Sequence, residues 1–231
     1  MKRTLFLAAA FLCVSRAAFA SVDYCRVIDV SGKAEVLESG SARWLPLSAP
    51  KFLKGGDQIR TSGKSYAEIS TSADFSGLLK LGADSRLEVL GEDLARFFLE
   101  EGVLMVLREE NDDSPESRPA ETVLMQILTQ DLSAGLLSGG CSVSVTAKGT
   151  WVRVFSESVR VTPTARKTRE AVQHDLPEGF KFFSARAGKI DTLGPLRLYF
   201  SDYADWQFWV RQCYERQDAR SDEGMLRKQG L

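Results

Sequence analysis

Between residues 24 and 107 the chain alternates apolar and polar residues in short runs, and turn residues break the pattern roughly every 8 to 12 positions. Successive side chains of a β-strand point to opposite faces, so a period of two indicates half-buried strands. A helix of about ten or more residues does not fit between these breaks. The alternation returns after the middle of the chain, at 123–128, 141–145 and 151–155. The fold is therefore predicted to be mostly β.

One segment near the C-terminus has a different period. Its apolar residues recur at spacings of three and four, which places them on one face of an amphipathic α-helix that Ser201 or Asp202 can cap. These residues are Tyr203, Trp206, Trp209, Val210, Cys213 and Tyr214. The aromatic face favours a lid packed on an open end of the sheet. The alternative is an exposed face that docks on a partner, since Trp and Tyr concentrate at interfaces.

The first twenty residues have the three-part pattern of a secretory signal peptide. Lys2 and Arg3 precede the apolar run 5–14, and Ala18-Phe19-Ala20 supplies small residues at the cleavage site. The run is shorter than the roughly 20 apolar residues that span a bilayer. Cleavage after Ala20 and export to the periplasm or the extracellular space are predicted. No later segment reaches the length of an integral membrane span.

Charge excludes one class of partner. Residues 21–231 hold 27 basic and 31 acidic residues, because three of the 30 basic residues and none of the acids lie in the signal. A net charge of about −4 gives no reason to expect nucleic acid as a partner.

An acidic segment with two prolines, EENDDSPESRP, interrupts the alternation and predicts an exposed loop. A metal site at Glu109, Glu110, Asp112 and Asp113 is the alternative, but the spacing matches no Ca²⁺ loop. The predicted organisation is a signal peptide at 1–20, a β domain at 21–108, an acidic loop at 109–120, a continuation of the β domain at 121–192, and a C-terminal helix with a polar tail at 193–231.

Three cysteines follow the signal: Cys25, Cys141 and Cys213. Two of them can pair in an oxidising compartment, and Cys25–Cys141 is the first candidate because both flank core strands. Three buried thiols are the alternative. The single His174 and the lack of a Cys-x-x-Cys leave no zinc motif.

The stretch KGGDQIRTSGKSYAEI at 54–69 resembles a ligand loop, but it is better explained as a corner. Gly55 or Gly56 can take a positive φ, and Asp57 can accept hydrogen bonds from nearby backbone N–H groups. A phosphate-binding loop would need a helix to follow it, and the alternation that follows indicates a strand.

Residues 27–107 resemble the FecR domain family. The resemblance rests on an ordered set centred on a Trp, a Gly-Asp-x-Ile-x-Thr run and a following Ser. The set comprises Gly32, Trp44, Gly56, Asp57, Ile59, Thr61, Ser65 and Gly102. It implies a solenoid-like domain of short stacked antiparallel strands outside the cytoplasm. The best-known members add a cytoplasmic sigma-factor-binding segment and a membrane span. Because the signal peptide runs almost directly into the β pattern, we do not expect the anti-sigma role here.

The motifs of nucleophilic, nucleotide-dependent and zinc enzymes do not occur, and no catalytic residue, cofactor or metal is predicted. Glu35, Glu68 and Glu88 alternate with apolar residues and are expected to face solvent. Six aromatic residues could form a glycan or peptide platform, with Trp151, Trp206 and Trp209 as the ligand-binding candidates and Trp44 more readily explained by core packing. The six are Trp44, Tyr66, Trp151, Phe182, Trp206 and Trp209.

The sequence therefore favours a non-catalytic exported module that binds or strengthens the cell envelope. Its expected partner is an envelope protein or a glycan, and self-association at a strand edge is a further candidate. The alternative is an extracytoplasmic sensor component of a FecR-type system that regulates transcription. A hydrolase would require two carboxylates that face each other in a cleft.

Overall fold

The computed structural model describes residues 25–71, 77–91, 95–108, 125–136, 138–164, 172–186 and 192–228. The predicted signal peptide and the acidic loop, with its candidate metal ligands, lie outside these residues. The strands are β1 (Arg26–Ser31), β2 (Ala34–Leu37), β3 (Leu45–Pro46), β4 (Lys51–Phe52), β5 (Gln58–Thr61), β6 (Tyr66–Ser70), β7 (Gly77–Leu81), β8 (Arg86–Gly91), β9 (Ala95–Arg108), β10 (Met125–Leu128), β11 (Leu132–Leu136), β12 (Gly139–Thr146), β13 (Gly149–Ser156), β14 (Ser158–Pro163), β15 (His174–Pro177), β16 (Phe180–Ala185) and β17 (Thr192–Arg197). One helix, α1 (Phe200–Lys228), follows them.

The strands form two halves that share the long strand β9. Sheet A runs in the order β4-β1-β6-β7-β9-β12-β13-β16-β17. Sheet B runs in the order β3-β2-β5-β8-β9-β10-β11-β14-β15. The described pairs are antiparallel except β9–β10, which is parallel. The prediction of a mostly β fold of short antiparallel strands with one C-terminal helix is confirmed.

The inner faces of the two halves enclose one apolar core. Every second residue of a strand enters it, as Ile59 does from β5 and Ile69 from β6, both fully buried. A strand face of this kind cannot be buried by one hairpin alone, so neighbouring hairpins must cover one another. The core therefore depends on stacking along both sheets.

Positive-φ glycines close the corners between the strands. Gly32 has φ +76° and Gly102 has φ +90°, and at each the following amide donates to a serine hydroxyl: Lys33 N–H to Ser65 Oγ at 2.7 Å, and Val103 N–H to Ser85 Oγ at 2.9 Å. A Cβ on either glycine would collide with that serine. These positions hold the chain in register, and Gly102 lies where β9 passes from sheet B to sheet A.

The corner at 54–57 has the geometry that its residues suggest. Gly56 has φ +87°. The buried Asp57 carboxylate accepts hydrogen bonds from the backbone N–H of Ser39 at 2.8 Å and of Lys54 at 3.0 Å. Since both partners are backbone groups of turns, the described contacts of Asp57 are structural.

The C-terminal region begins with a strand. β17 occupies Thr192–Arg197, inside the segment assigned to the helix and tail, and α1 starts only at Phe200. Asp202 lies within the first turn, where its carboxylate accepts the N–H of Tyr199 at 2.9 Å. This bond has the geometry of the returning half of a capping box, so neither Ser201 nor Asp202 is the N-cap.

The proposed Cys25–Cys141 disulfide is not formed. Cys25 directly precedes β1 and Cys141 lies on β12, with β6, β7 and β9 between them in sheet A. Four strand spacings amount to about 19 Å, whereas a disulfide requires Cα atoms within about 7 Å. Flanking a core strand therefore did not imply proximity.

Candidate functional site

Helix α1 lies across the outer face of sheet A. Its side chains contact β16 and β13 near the start of the helix and β6 and β1 near Arg216. The helix rises about 21 Å between Asp202 and Arg216. It therefore crosses the strands rather than following one of them.

Beneath the helix lies a second apolar cluster, which we call the strap cluster. It joins three buried sheet residues to three buried helix residues, and it is separate from the main core. Its buried members are Leu78, Leu107, Phe155, Trp206, Trp209 and Cys213. The helix is thus attached to the completed sheet from outside.

Close aromatic packing shapes the centre of the strap cluster. The Trp206 ring stacks on Phe155 with centroids 4.8 Å apart and planes 13° apart, and it meets Trp209 edge-on at 5.5 Å. Gly140 on β12 makes this possible, because a Cβ there would collide with the Trp206 ring. The indole of Trp206 occupies the space that a side chain at position 140 would fill.

A buried carboxylate lies at the far end of the cluster. Glu68 on β6 is only 3% exposed. Its Oε1 accepts the indole N–H of Trp209 at 3.1 Å, and its Oε2 accepts a hydrogen bond from Nη1 of Arg216. The Lys80 ammonium lies 3.9 Å from Oε1. A buried charge persists only where it is paired and hydrogen-bonded, so Glu68 depends on the helix for two of these partners.

The expectation that Glu68 faces solvent is wrong. Alternation on β6 correctly places it on the outer face, opposite Ile69. The helix, more than a hundred residues later in the chain, then covers that face. The alternation of β6 carries no information about such a cover.

Charges around Glu68 extend the contact to β1. The Tyr66 hydroxyl donates to Asp29 at 3.0 Å, and Arg216 lies 4.0 Å from the same carboxylate. Burial and then the hydrogen bond to Asp29 raise the pKa of Tyr66. Burial acts to lower the pKa of Arg216, but its hydrogen bond and ion pair with Glu68 outweigh this and raise it.

Asp202 attaches the first turn of the helix to the sheet. Its carboxylate accepts Arg153 Nε at 3.1 Å and Lys181 Nζ at 2.8 Å, from β13 and β16. Burial acts to raise the pKa of Asp202, but the bonds from Lys181, the Tyr199 amide and Arg153 lower it overall. Ion pairs to the sheet therefore hold the helix in its first turn, through Asp202, and near its middle, through Arg216.

The predicted ligand-binding tryptophans do not form one platform. Trp206 and Trp209 are buried beneath the helix, so neither offers a face to a ligand while the helix is docked. Trp151 is half-buried and packs on Phe183 with centroids 4.7 Å apart. Of the other aromatic candidates, Phe182 is in the core and Tyr66 bonds Asp29.

Trp44 lies outside the core, contrary to the packing interpretation. It is half-buried on the outside of sheet B, where the guanidinium of Arg60 lies 4.2 Å from its ring centroid. Sequence reasoning missed Arg60 and the burial of Glu68. The alternation of Arg60 with the buried Ile59 and Thr61 was the one signal for Arg60, and it indicated only an outward-facing side chain.

The described residues show no arrangement that suggests a nucleophile or a metal centre. Burial and then the charge of Glu68 raise the pKa of the Cys213 thiol to about 11, so it stays protonated at neutral pH. No three His, Cys, Asp or Glu side chains in the described part of the chain converge as metal ligands would. Within the same residues, no helix is both long and apolar enough to cross a membrane.

Comparison with known proteins leaves the family open. No protein-family model matches the sequence, and no curated protein is similar to it. Similar solved structures include two crystal structures of a proposed anti-sigma factor from Parabacteroides distasonis. One has 12% identity and a TM-score of 0.44 over 59% of each chain, and the other 12% and 0.45 over 63% of each chain. The chain thus covers less than two thirds of either structure, and similarity at this level establishes neither a family nor a function.

Proposed function

We propose that this protein is a non-catalytic binding module of the cell envelope that works as a sensor, with helix α1 as its movable part. In the resting state the helix covers the outer face of sheet A. On release it uncovers Leu78, Leu107 and Phe155 for a protein partner. The observation that carries the proposal is that the helix is attached by its own cluster and ion pairs, outside the core.

The separation of the two clusters supports a helix that leaves without unfolding the sheets. Among the described residues, the core between the sheets contains no helix side chain. Local opening proceeds in cooperative units whose stability follows their own contacts. The strap cluster and its ion pairs form such a unit.

The exported, non-catalytic character of the proposal comes from the sequence. The signal pattern supports a location outside the cytoplasm. The FecR-like residues Gly32, Gly56 and Gly102 occupy corners, and Asp57 bonds backbone amides. Since these motif residues serve the fold, a binding role must rest on surfaces such as the one beneath the helix.

The test compares the wild type with Gly140→Ala and Gly55→Ala. A methyl group at Gly140 displaces Trp206 and releases the helix, whereas a Cβ at Gly55 meets no atom within 4 Å. Each protein is used to capture partners from an envelope extract. We expect Gly140→Ala to retain a membrane protein that the other two do not retain, and a synthetic peptide of residues 200–228 to displace it.

Two results would count against the sensor. If all three proteins retain the same partner, the helix does not control binding and the protein is a constitutive binding module. If the peptide fails to displace the partner, the surface beneath α1 is not where it binds.

A further inference from the structure

A polar groove of about 440 Å³ lies on the outer side of sheet B, on the half of the fold that does not carry the helix. It is bounded by β2, β5, β8 and β9 and by the turns that join them. The charged residues of its lining are Lys33, Glu35, Arg60, Asp84, Arg86 and Glu101. No part of the proposed helix release involves these residues.

The strand register places four charged side chains in one row across this groove. Glu35 pairs with Arg60, Arg60 with Arg86, and Arg86 with Glu101 as cross-strand neighbours. Side chains directly opposite each other lie about 4.5 to 5.5 Å apart at Cβ. The row therefore reads acid, base, base, acid over a distance of about 15 Å.

The central pair of arginines is unfavourable for the sheet alone. Like charges directly opposite each other destabilise a strand pair. Here carboxylates and one indole hold them: Arg60 bonds Glu35 at 2.7 Å, Arg86 bonds Glu100 at 3.0 Å, and both guanidinium groups lie over Trp44 at 4.2 and 5.6 Å. The arrangement keeps two guanidinium groups close together beside a half-buried aromatic ring.

The lining is balanced in charge, which restricts the ligand. Lys33, Arg60 and Arg86 face Glu35, Asp84 and Glu101, so neither an anion nor a cation gains from the groove as a whole. The polar lining gives an apolar molecule no surface to bury. Hydroxyl groups both donate and accept, so a polyhydroxyl chain can satisfy guanidinium and carboxylate groups together.

We propose that this groove binds an uncharged sugar chain, with Arg60, Arg86 and Glu101 as hydrogen-bonding groups. Trp44, whose ring packs against both guanidinium groups, holds the two arginines in position. The site is independent of the helix and gives the module a ligand contact on its opposite half. Free oligosaccharide and polymeric wall glycan share this chemistry.

The test titrates the full mature protein with a hexamer of β-1,4-linked N-acetylglucosamine and follows backbone amide resonances. We expect saturable shifts at Lys33, Ser62 and Arg86. Arg86→Gln should weaken binding about tenfold, as expected for loss of a hydrogen bond to a charged group. Trp44→Ala should weaken it by a similar factor, because both guanidinium groups lose the ring against which they pack. Arg160→Gln is the matched control, because Arg160 forms an exposed ion pair with Asp175 at the far end of the same sheet.

The possible outcomes distinguish the kind of ligand and show whether the groove is the binding site. Binding of the hexamer and of an insoluble polymer of the same sugar identifies a wall glycan, and binding of the hexamer alone identifies a short free sugar. Absence of shifts in the wild type, or equal loss in Arg160→Gln, overturns the site. Tighter, salt-sensitive binding of polyglutamate would show an anion site instead. Cleavage of the hexamer would keep the site and overturn the non-catalytic function, whereas an unaltered Gly140→Ala result bears only on the helix.

Discussion

Trp209→Ala is the substitution that most directly tests whether helix α1 can leave sheet A while the two sheets stay folded. Trp209 is 1% exposed, packs on Trp206 and donates its indole N–H to Glu68. Truncation of a buried Trp to Ala costs about 3–5 kcal/mol when the residue belongs to a core. Glu68 retains Arg216 and Lys80, so the carboxylate is not left without partners.

The substitution should weaken the docking of helix α1 on sheet A rather than lower the free energy of global unfolding. A loss of about 3–5 kcal/mol is large beside the net contribution of the ion pairs of Glu68 and Asp202, because the desolvation penalty of a buried pair offsets much of its attraction. The helix is therefore expected to leave sheet A. The free energy of unfolding of the two sheets should change by less than about 1 kcal/mol, because the core between the sheets is separate from the strap cluster and opens as its own unit.

Hydrogen exchange followed by mass spectrometry measures both the docking of the helix and the stability of the two sheets. In Trp209→Ala, peptides covering 200–216 should exchange faster, and peptides of β5 and β10 should keep wild-type protection. Phe208→Ala is the matched control, because this neighbouring helix residue is 64% exposed. Its substitution should change the exchange rates of neither the helix nor the sheets. Trp209→Phe removes the N–H but keeps most of the packing, and it should fall between the two.

The reasoning fails if protection falls equally in the helix and in the sheet core. That result would mean that α1 is an integral layer of the fold. Unchanged exchange throughout would show that the ion pairs of Asp202 and Arg216 hold the helix without the strap cluster.

Further expectations concern acid, a corner and a thiol. The pKa of Asp202 is lowered in the folded protein, so its ionised carboxylate stabilises helix docking above the ordinary Asp pKa of about 3.9. This stabilisation is lost as the pH falls through the folded pKa. Tryptophan fluorescence should therefore report weaker helix docking in acid, and Asp202→Asn should remove this pH dependence. Asp57→Ala should lower the free energy of unfolding by about 1–2 kcal/mol, since two backbone N–H groups lose their acceptor; an unchanged denaturation midpoint would show that water replaces the carboxylate. Cys213 should react with a maleimide faster in Gly140→Ala than in the wild type, while Cys141, buried in the core, stays unreactive in both; equal Cys213 rates would mean that the helix has not moved.

The sequence was informative where a local rule acts alone. Alternation indicated half-buried strands, and Ile59 and Ile69 lie on the buried faces of two of them. The spacing of three and four predicted a C-terminal helix, and Trp209 lies on its buried face. Glu68 shows the limit of such rules, because alternation decides the face of a strand and cannot say what covers that face. The groove was hidden for a related reason: Arg60, Arg86 and Glu101 become neighbours only through the register of three strands.

The use of charge to fasten the helix is itself an argument for reversibility. An apolar side chain in place of Glu68 would gain from burial and lose that gain on exposure, so it would favour the docked state. Replacing a buried ion pair with packed apolar residues is often neutral or stabilising. The Glu68–Arg216 pair and the Asp202 contacts instead recover their hydration when the helix leaves, which offsets part of the lost attraction. Ion pairs of this kind specify one docked position, and they add less to the free-energy gap between the docked and released states than apolar contacts in their place would add.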